Sequence, residues 1–325
     1  YLVSKEDAIA AVEGEEPLEA DQQTWAEIIG YRNAMTYILQ LSKDPNFTFN
    51  DGYLRSLHFM MLSHDLAKRP GNWRPGPIFV QDEEKKIRVY EAPEVEKVPR
   101  LIEELIQYLR GKEDSDHLLI KGAMAHLNLV MIHPFSDGNG RMARCLQTMV
   151  LSARGITSPE FSSIEEYLGR NRQEYYQSLA AVGRGSWNPG NDTRLWIRFN
   201  LTAHYRQAAT MKIRMRVLEK IWNEVEIQVK AKGLPDRSIP SIADAAMGFP
   251  IRSMHYRNSA EVSGVVASRD LALLVQAGLL DAKGEKRGRI YRATQDLRDT
   301  YLKIRATEPR SIEDPFSADV ELISG

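Results

Sequence analysis

The sequence has few of the features that mark secreted, membrane-spanning or strongly basic proteins. Its 325 residues include one cysteine, Cys145, so no disulfide can form within the chain, which is typical of a reducing compartment. No apolar run approaches the roughly 20 residues that a transmembrane helix requires. The formal net charge is -1, which does not indicate a generally basic nucleic-acid-binding surface, although local patches stay open. We therefore expect a cytoplasmic protein without a membrane partner.

Most of the first 230 residues have apolar positions at helical spacing. Residues 101–110 show this spacing and follow Pro99, a common residue at helix starts. Residues 117–132 are apolar almost all round, which predicts a buried central helix on which His126 is most simply a core histidine. One stretch differs, because two short β-prone runs at 78–80 and 87–90 flank a polar segment. That pattern predicts a β-hairpin inside a helical protein.

The region after residue 192 has a different organisation. Residues 192–232 are predicted to form helices that lead away from the core, and Gly233 begins a Gly-Leu-Pro boundary. Residues 262–277 predict a further helix, and a polar turn at 284–289 lies between two apolar pairs. Helices followed by such a turn are typical of a winged helix. Basic residues cluster on or near this wing: Lys283, Lys286, Arg287, Arg289 and Arg292.

This basic cluster suits a nucleic-acid backbone. Winged helices also serve as protein-docking or dimerisation modules, so DNA binding stays open without being favoured, and a homodimer stays open as well.

The most informative segment is residues 133–144, which read HPFSDGNGRMAR. Pro134 ends the preceding helix, and a new helix is predicted to start near Gly140, with Cys145 on its apolar stripe as a core residue. The Gly-Asn-Gly run between the helices can turn backbone N–H groups toward one point, and the next helix adds partial positive charge there. This predicts an anion cradle, to which Arg141 and Arg144 would add phosphate-binding charge.

Two further residues give this cradle a chemistry. Asp137 stands beside it, where a Mg²⁺ ion that bridges phosphates would need a carboxylate. His133 lies at its mouth, where a neutral imidazole could take a proton from an attacking hydroxyl. The alternative is that His133 is a satisfied core histidine and the glycines mark a turn between helices. We favour the site, because histidine, acid, glycines and paired arginines occur together.

The same segment resembles the Fic signature HPFx(D/E)GNGRxxR at every specified position. Residues 71–74 with 78–80 resemble the lead-in and first strand of the Fic flap, and residues 167–168 and 174–176 resemble the segment after the motif helix. The resemblance covers about residues 5–200. It implies an all-α Fic core with a β-hairpin flap, to which the winged helix is appended.

The resemblance also implies roles for individual residues. His133 would be the general base, Asp137 would hold Mg²⁺, and Phe135 would be a core plug. Further roles cover the nucleotide and the target: Gly138, Asn139, Gly140 and Arg141 for the α- and β-phosphates, Arg144 for the γ-phosphate, Tyr175 and Tyr176 for the adenine pocket, and Ile78, Phe79 and Val80 for target alignment by the flap. The tyrosine pair has core packing as its alternative.

The implied activity is transfer of AMP from ATP to a hydroxyl side chain of a target protein. The motif does not separate ATP from UTP or CTP as donor, and self-modification is also open. Doc kinases carry a lysine where this chain has Gly140, which argues against phosphoryl transfer. Glu13, in the run IAAVEG, resembles the glutamate of the family's inhibitory helix, which pairs with the second motif arginine, here Arg144. Ile9 departs from the Ser or Thr of that pattern, and a solvated acidic face is the alternative.

We therefore predict a Mg²⁺-dependent protein adenylyltransferase that Glu13 inhibits in cis. Removal of AMP at the same site, and a nucleotide-sensing transcription regulator, are the alternatives. The expected domains are 1–200 for catalysis, 201–234 as a helical linker, 235–300 as the winged helix and 301–325 as a tail.

Overall fold

The structure is a computed structural model that describes residues 20–82, 86–111, 117–156, 163–285 and 289–317. Glu13, Lys286 and Arg287 lie outside the described residues. The described residues form two compact units: 26–209 with 313–317, and 20–25 with 210–312.

The first unit is mainly helical. Its elements in chain order are α1 (Gln22–Leu41), α2 (Asp51–Leu62), a 3₁₀ turn (Leu66–Lys68), β1 (Phe79–Asp82), β2 (Ile87–Glu91), α3 (Val98–Arg110), α4 (Leu118–Ile132), α5 (Asn139–Ser152), α6 (Glu165–Arg170), α7 (Arg172–Gly183), β3 (Gly185–Ser186) and the first part of α8 (Arg194–Ala231).

Local sequence signals explain where the helices nearest the motif begin and end. Pro99 occupies the first turn of α3, where its missing N–H has no intrahelical acceptor to lose. The side chain of His117 caps α4 by accepting from the Leu119 amide. Helix α4 ends at Ile132 and α5 begins at Asn139, so residues 133–138 form a short loop between two antiparallel neighbours.

The core of this unit places the motif helix in apolar surroundings. Buried residues of α2, α3, α4 and α5 form one cluster that includes Leu57, Ile106, Leu129 and Leu146. Cys145 is fully buried in it, which confirms the prediction of a core cysteine. His126 is fully buried as well, and bonds to Gln147 and Tyr175. The motif loop is therefore anchored at both ends by close-packed helices.

Strands β1 and β2 pair antiparallel, with a register shift between Val80 and Gln81. Strand β2 also pairs in parallel with β3, which gives the order β1-β2-β3. Strands β1 and β2 thus lie where the sequence predicts two short strands, at 78–80 and 87–90.

The second unit contains the rest of α8, followed by three helices, a three-stranded sheet and a last helix. These are α9 (Ile239–Ala246), β4 (Ile251–Arg252), α10 (Ser253–Ala260), α11 (Gly264–Gln276), β5 (Leu280–Lys283), β6 (Ile290–Ala293) and α12 (Gln295–Ala306). The sheet is antiparallel with order β4-β6-β5. A separate core surrounds Ile242, Tyr256 and Leu271.

Two sequence expectations differ from this arrangement. Residues 192–232 were expected to hold several helices, but 194–231 form one helix that contributes to both units. Within residues 301–325, which the sequence analysis assigns to a tail, α12 continues to Ala306 and Glu308 is buried between Arg216 and Lys220. The ion pairs of Glu308 with Arg216 and Lys220, which are distant in sequence, explain why residue 308 is held in place. In the parts of the chain that the structure describes, none of the helices combines the length and apolar character needed to cross a membrane.

Candidate active site

His133 is the residue that closes α4. Its backbone is left-handed, with φ 50° and ψ 58°, and its N–H bonds to the Leu129 carbonyl at 3.0 Å. Histidine is among the non-glycine residues that enter this region more readily than most. The chain therefore leaves the buried helix abruptly, and the imidazole lies at the start of the motif loop.

The imidazole has a defined tautomer. Its Nδ1 lies 3.0 Å from the carbonyl oxygen of Val130, which can only accept, so Nδ1 carries the proton and Nε2 keeps its lone pair. Burial lowers the pKa of His133, the Val130 bond opposes this shift, and the charge of Arg74 adds to it. The arrangement suits a base that is neutral near pH 7.

Phe135 and Asn139 hold the loop in shape. Phe135 is fully buried and stacks on His58 with ring centroids 3.7 Å apart, which confirms that it is a core plug. The Asn139 side chain accepts from the Phe135 amide at 3.0 Å and donates to the Phe135 carbonyl at 2.8 Å. Its side-chain amide is thus engaged within the loop, and its backbone N–H is the group that it can offer to a ligand.

Gly138 lets α5 begin. Its φ of 77° is unfavourable for other residues, and a Cβ there would lie 3.1 Å from Leu62 Cδ1. Because the first N–H groups of a helix have no intrahelical acceptor, the start of α5 can bind an anion. A Cβ on Gly140 would meet Arg144 Nη1 at 3.5 Å, an ordinary contact, so space alone does not require glycine there.

Asp137 and Arg141 belong to a ring of alternating charges. Asp137 Oδ2 lies 2.9 Å from Lys68 Nζ and 3.7 Å from Arg141 Nη2. Glu27 of α1, whose side chain is 4% exposed, lies 3.5 Å from Lys68 and 3.3 Å from Arg141. Burial would raise the pKa of Asp137, but the bonds from Lys68 and the Gly138 amide and the neighbouring positive charges hold it below its usual value.

Arg144 pairs with a different carboxylate. Its Nε lies 3.3 Å from Glu165 Oε1 on α6, and the Tyr31 hydroxyl donates to the same oxygen. Burial raises the pKa of Glu165 to about 7. The two motif arginines therefore contact separate acidic groups, Glu27 and Glu165.

The two predicted adenine-pocket tyrosines differ in their surroundings. Tyr175 is 7% exposed, its hydroxyl lies 3.0 Å from His126 Nε2, and its ring packs near Trp196. Burial raises its pKa to about 12. Tyr176, beside it on α7, is 57% exposed. Of the two tyrosines, Tyr176 is the one that is exposed enough to contact a ligand.

The predicted flap residues are half-buried. The Ile78 carbonyl accepts from the Ala92 amide at 3.2 Å, and Phe79 carries the guanidinium of Arg88 3.8 Å above its ring. The register shift after Val80 re-aims the strand near its middle. The hairpin joins the motif loop through Arg74, whose role sequence reasoning missed.

Arg74 bonds to both the loop and the hairpin base. Its backbone N–H donates to the Pro134 carbonyl at 2.8 Å, and its Nε donates to the His133 carbonyl at 2.9 Å. Its other guanidinium nitrogens donate to the carbonyls of Gly76 and Pro93. The planar guanidinium thus joins three backbone segments and fixes the carbonyl next to the imidazole.

Glu27 and Lys68 are also residues that the sequence did not reveal as part of the site. A lone glutamate in a helix and a lysine before Arg69-Pro70 carry no periodic or motif signal. Their contacts with the motif identify them, Lys68 through Asp137 and Glu27 through Arg141.

The residues present fit a Mg²⁺ ion that is shared with phosphates. The carboxylate of Asp137 is 42% exposed beside the start of α5, and Mg²⁺ commonly takes one or two carboxylates together with phosphate oxygens and water. The described residues contain no group of three or more acidic, histidine or cysteine ligands, so the phosphates would have to supply much of the coordination.

Residues 48–151 match the Fic/DOC family. The chain is 28% identical over 176 residues to a protein from Nematostella vectensis named protein adenylyltransferase Fic. This alignment covers 53% of the present chain and 36% of the relative. The match therefore spans only about a third of that relative's length.

Solved structures give the fold. A Fic family protein from Desulfovibrio desulfuricans aligns with a TM-score of 0.54 and 19% identity, over 90% of this chain and 82% of that one. A Fic domain-containing signaling protein from Bacteroides thetaiotaomicron aligns with a TM-score of 0.53 and 19% identity, over 64% and 78% of the two chains. The chain is thus helix-dominated and similar in fold to Fic proteins, it matches the Fic/DOC family over residues 48–151, and its relatives at 28% identity include proteins named protein adenylyltransferase Fic.

Proposed function

We propose that this protein transfers AMP from ATP to a hydroxyl side chain of another protein. The observation that carries the proposal is the state of His133, whose Nδ1 is bonded to Val130 and whose Nε2 keeps its lone pair, in the loop that starts α5. A base at this position could take the proton from a hydroxyl that attacks a phosphate bound at the start of the helix.

In the proposed reaction the target hydroxyl oxygen attacks the α-phosphorus of ATP. The new P–O bond forms as the bond to the bridging oxygen of pyrophosphate breaks, and the hydroxyl proton passes to His133 Nε2. Arg141 and the first N–H groups of α5 would bind the inner phosphates, and Arg144 would bind the γ-phosphate. Asp137 would hold a Mg²⁺ ion, which neutralises charge on the phosphates.

Three further elements complete the proposal. Strand β1 would align the target segment, with Ile78, Phe79 and Val80 as its contact residues. Tyr176 is the better candidate for an adenine contact because its ring is exposed, while Tyr175 would support it from the core. The helix order and sheet order of the second unit support a winged helix.

Inhibition in cis by Glu13 is also part of the proposal. Its support is the sequence pattern around residue 13, together with the physical argument that a carboxylate on Arg144 takes the donors that a γ-phosphate needs.

The proposal is tested by incubating the protein and a cell lysate with ATP labelled at the α- or the γ-phosphate. Adenylyl transfer labels protein only from α-labelled ATP, whereas a kinase labels protein only from γ-labelled ATP. His133→Asn should lose transfer by about 10²–10⁴-fold, the usual contribution of a general base, and should still bind ATP.

Asparagine is preferred to alanine because it tolerates the left-handed backbone at residue 133. His64→Ala, at an exposed histidine, is the matched control and should transfer like the parent. Equal transfer by His133→Asn and the parent would refute the assignment of the base, and label from the γ-phosphate alone would refute adenylyl transfer.

A further inference from the structure

The ring formed by Glu27, Lys68, Asp137 and Arg141 is closed. Each carboxylate contacts both cations, at distances between 2.9 and 3.7 Å. Both oxygens of Asp137 are engaged, because Oδ1 accepts from the Gly138 amide at 2.6 Å and Oδ2 contacts Lys68. The carboxylate that the proposed metal needs is therefore held by an ammonium group.

A metal ion at Asp137 would have to displace this ammonium group. Lys68 and a divalent cation cannot share Oδ2 at close range, because their charges repel. Lys68 would not leave the site, however, since Glu27 holds it from the other side at 3.5 Å and is itself nearly buried on α1. The displaced Nζ stays tethered close to Arg141, where the proposed phosphates bring negative charge.

We propose that Lys68 is a further ligand-binding residue of this site, with two successive partners. Without nucleotide it covers Asp137 Oδ2, and with metal and nucleotide bound it contacts a phosphate oxygen. A lysine ammonium is a common point-charge partner of phosphate. This inference rests on the proposed function, because it takes a nucleoside polyphosphate as the ligand. It has one direct consequence, which is that bare metal binds weakly and enters with the nucleotide.

The experiment measures binding by the full chain rather than activity. Mn²⁺, a spectroscopic substitute for Mg²⁺, is titrated without nucleotide and followed by electron paramagnetic resonance. ATP is titrated separately in the presence of a chelator and followed by calorimetry. Lys68→Met should bind bare Mn²⁺ about tenfold more tightly and metal-free ATP about tenfold more weakly than the parent.

Lys97→Met is the matched control, because Lys97 is an exposed lysine that also pairs with a carboxylate, Glu94, at 3.1 Å. It should leave both affinities unchanged. Lys68→Arg keeps the charge and should bind Mn²⁺ as weakly as the parent, which separates loss of charge from any loss of folding. Unchanged or weaker Mn²⁺ binding by Lys68→Met, or unchanged ATP binding, would overturn the inference.

The proposed function is judged separately by transfer of the α-label. A parent that transfers AMP, while Lys68→Met binds both ligands as the parent does, overturns this inference and leaves the function standing. A parent that binds ATP but transfers no label refutes the function. In that case the two affinities of Lys68→Met still decide the role of Lys68.

Discussion

Arg74 donates from Nε to the carbonyl oxygen of His133 at 2.9 Å, across 59 positions of sequence. The same side chain bonds the carbonyls of Gly76 and Pro93 at the base of the hairpin. The backbone of His133, the proposed general base, and the base of the hairpin are thus joined by the side chain of Arg74, which is only 3% exposed.

Replacing this guanidinium should affect both stability and catalysis. Arg74→Ala leaves one buried and two partly buried carbonyls without this donor, and we expect a loss of roughly 2–4 kcal/mol in the free energy of unfolding. Arg74→Lys can restore only part of the fork, so it should recover stability more than transfer rate. Urea unfolding and the rate of label transfer, measured below the melting temperature, test both expectations.

Arg100→Ala is the control for Arg74. Arg100 is exposed and pairs with Glu104 at i+4, so its loss should change stability by no more than about 0.5 kcal/mol. If Arg74→Ala were as stable and as active as Arg100→Ala, the bonds of the Arg74 guanidinium would not be needed for stability or catalysis.

The pH dependence of transfer should follow the lowered pKa of His133. The imidazole accepts a proton only when it is neutral, so the rate should fall as pH falls through that pKa. Since burial lowers the pKa of His133, the acid midpoint of kcat/KM should lie below about 6.5, the usual value for histidine. Rates measured between about pH 5 and pH 8 give this midpoint.

Glu165 has to be separated from this profile, because burial raises its pKa to about 7. Its protonation below that pH would weaken its pair with Arg144. Glu165→Gln removes this second titration and should keep the midpoint below the usual histidine value. A midpoint at or above pH 7 in both proteins would contradict the assignment of a buried, neutral base.

Arg141→Ala should weaken binding of ATP with Mg²⁺. A charge-assisted bond to phosphate contributes about 1.5–3 kcal/mol, or roughly ten- to a hundredfold in Kd. The variant should also lose stability, because the nearly buried Glu27 loses its contact with the Arg141 guanidinium. Calorimetry gives the affinity and thermal unfolding gives the stability.

The double variant Glu27→Gln with Arg141→Ala separates these two effects. It no longer buries a charged carboxylate, so it should regain stability while its ATP affinity stays low. If affinity returned together with stability, Arg141 would be acting through the fold and the phosphates would bind elsewhere.

Glu13→Gly should raise the initial rate of transfer. If the Glu13 carboxylate engages Arg144, its removal frees that guanidinium for the γ-phosphate, and a misplacement of about 1 Å can cost about 10²-fold in rate. Glu13 lies outside the described residues. Among the described residues, Arg144 pairs with Glu165. Arg144→Ala should not mimic the activation, because it removes the γ-phosphate ligand too.

Glu16→Gly is the matched control for the proposed inhibition by Glu13. It removes a nearby carboxylate from the same acidic stretch and should leave the rate unchanged. A rate for Glu13→Gly no higher than that of the parent, or equal activation by both variants, would favour a solvated acidic face.

Removal of the second unit should leave the chemistry intact. A chain that ends at Ala209 follows the division between the units. A chain that ends near Gly233 keeps Ile221 and Val225, which pack in the core of the second unit, so it should be less soluble. Transfer of the α-label by the shorter chain tests the division, and a folded but inactive product would show that residues 210–325, which this chain lacks, complete the site.

The possible DNA role of the second unit is a separate question. A gel shift with residues 210–312, run at rising salt from about 50 mM, would detect phosphate contacts through a steep loss of binding. No shift at low salt would favour protein docking.

The sequence predicted the elements that local patterns determine. The apolar run before His133 and the stripe after Gly140 place α4 and α5 to within a residue or two, because helix periodicity and caps are encoded nearby. The buried states of His126 and Cys145 follow from the same patterns, whereas the buried state of Phe135 was expected only from the resemblance.

Long-range partners were not predictable in this way. Arg74 stands in the polar-looking run Asn72-Trp73-Arg74-Pro75 and gives no local sign that it will be buried. The contact between Glu27 and Arg141 spans 114 positions, and no periodicity links them. Glu308 likewise becomes ordered through Arg216 and Lys220. These pairings depend on tertiary packing, which a single sequence records only through motifs.

The irregular register of β1 has a consequence for the behaviour of the protein at high concentration. Strand β1 is at the edge of its sheet and spans only Phe79–Asp82, with the shift after Val80. Few consecutive backbone groups are therefore available in one register, so a second copy cannot extend the sheet for long. The short, irregular edge of β1 thus disfavours aggregation through strand pairing. We expect that lengthening β1 in one register would favour aggregation.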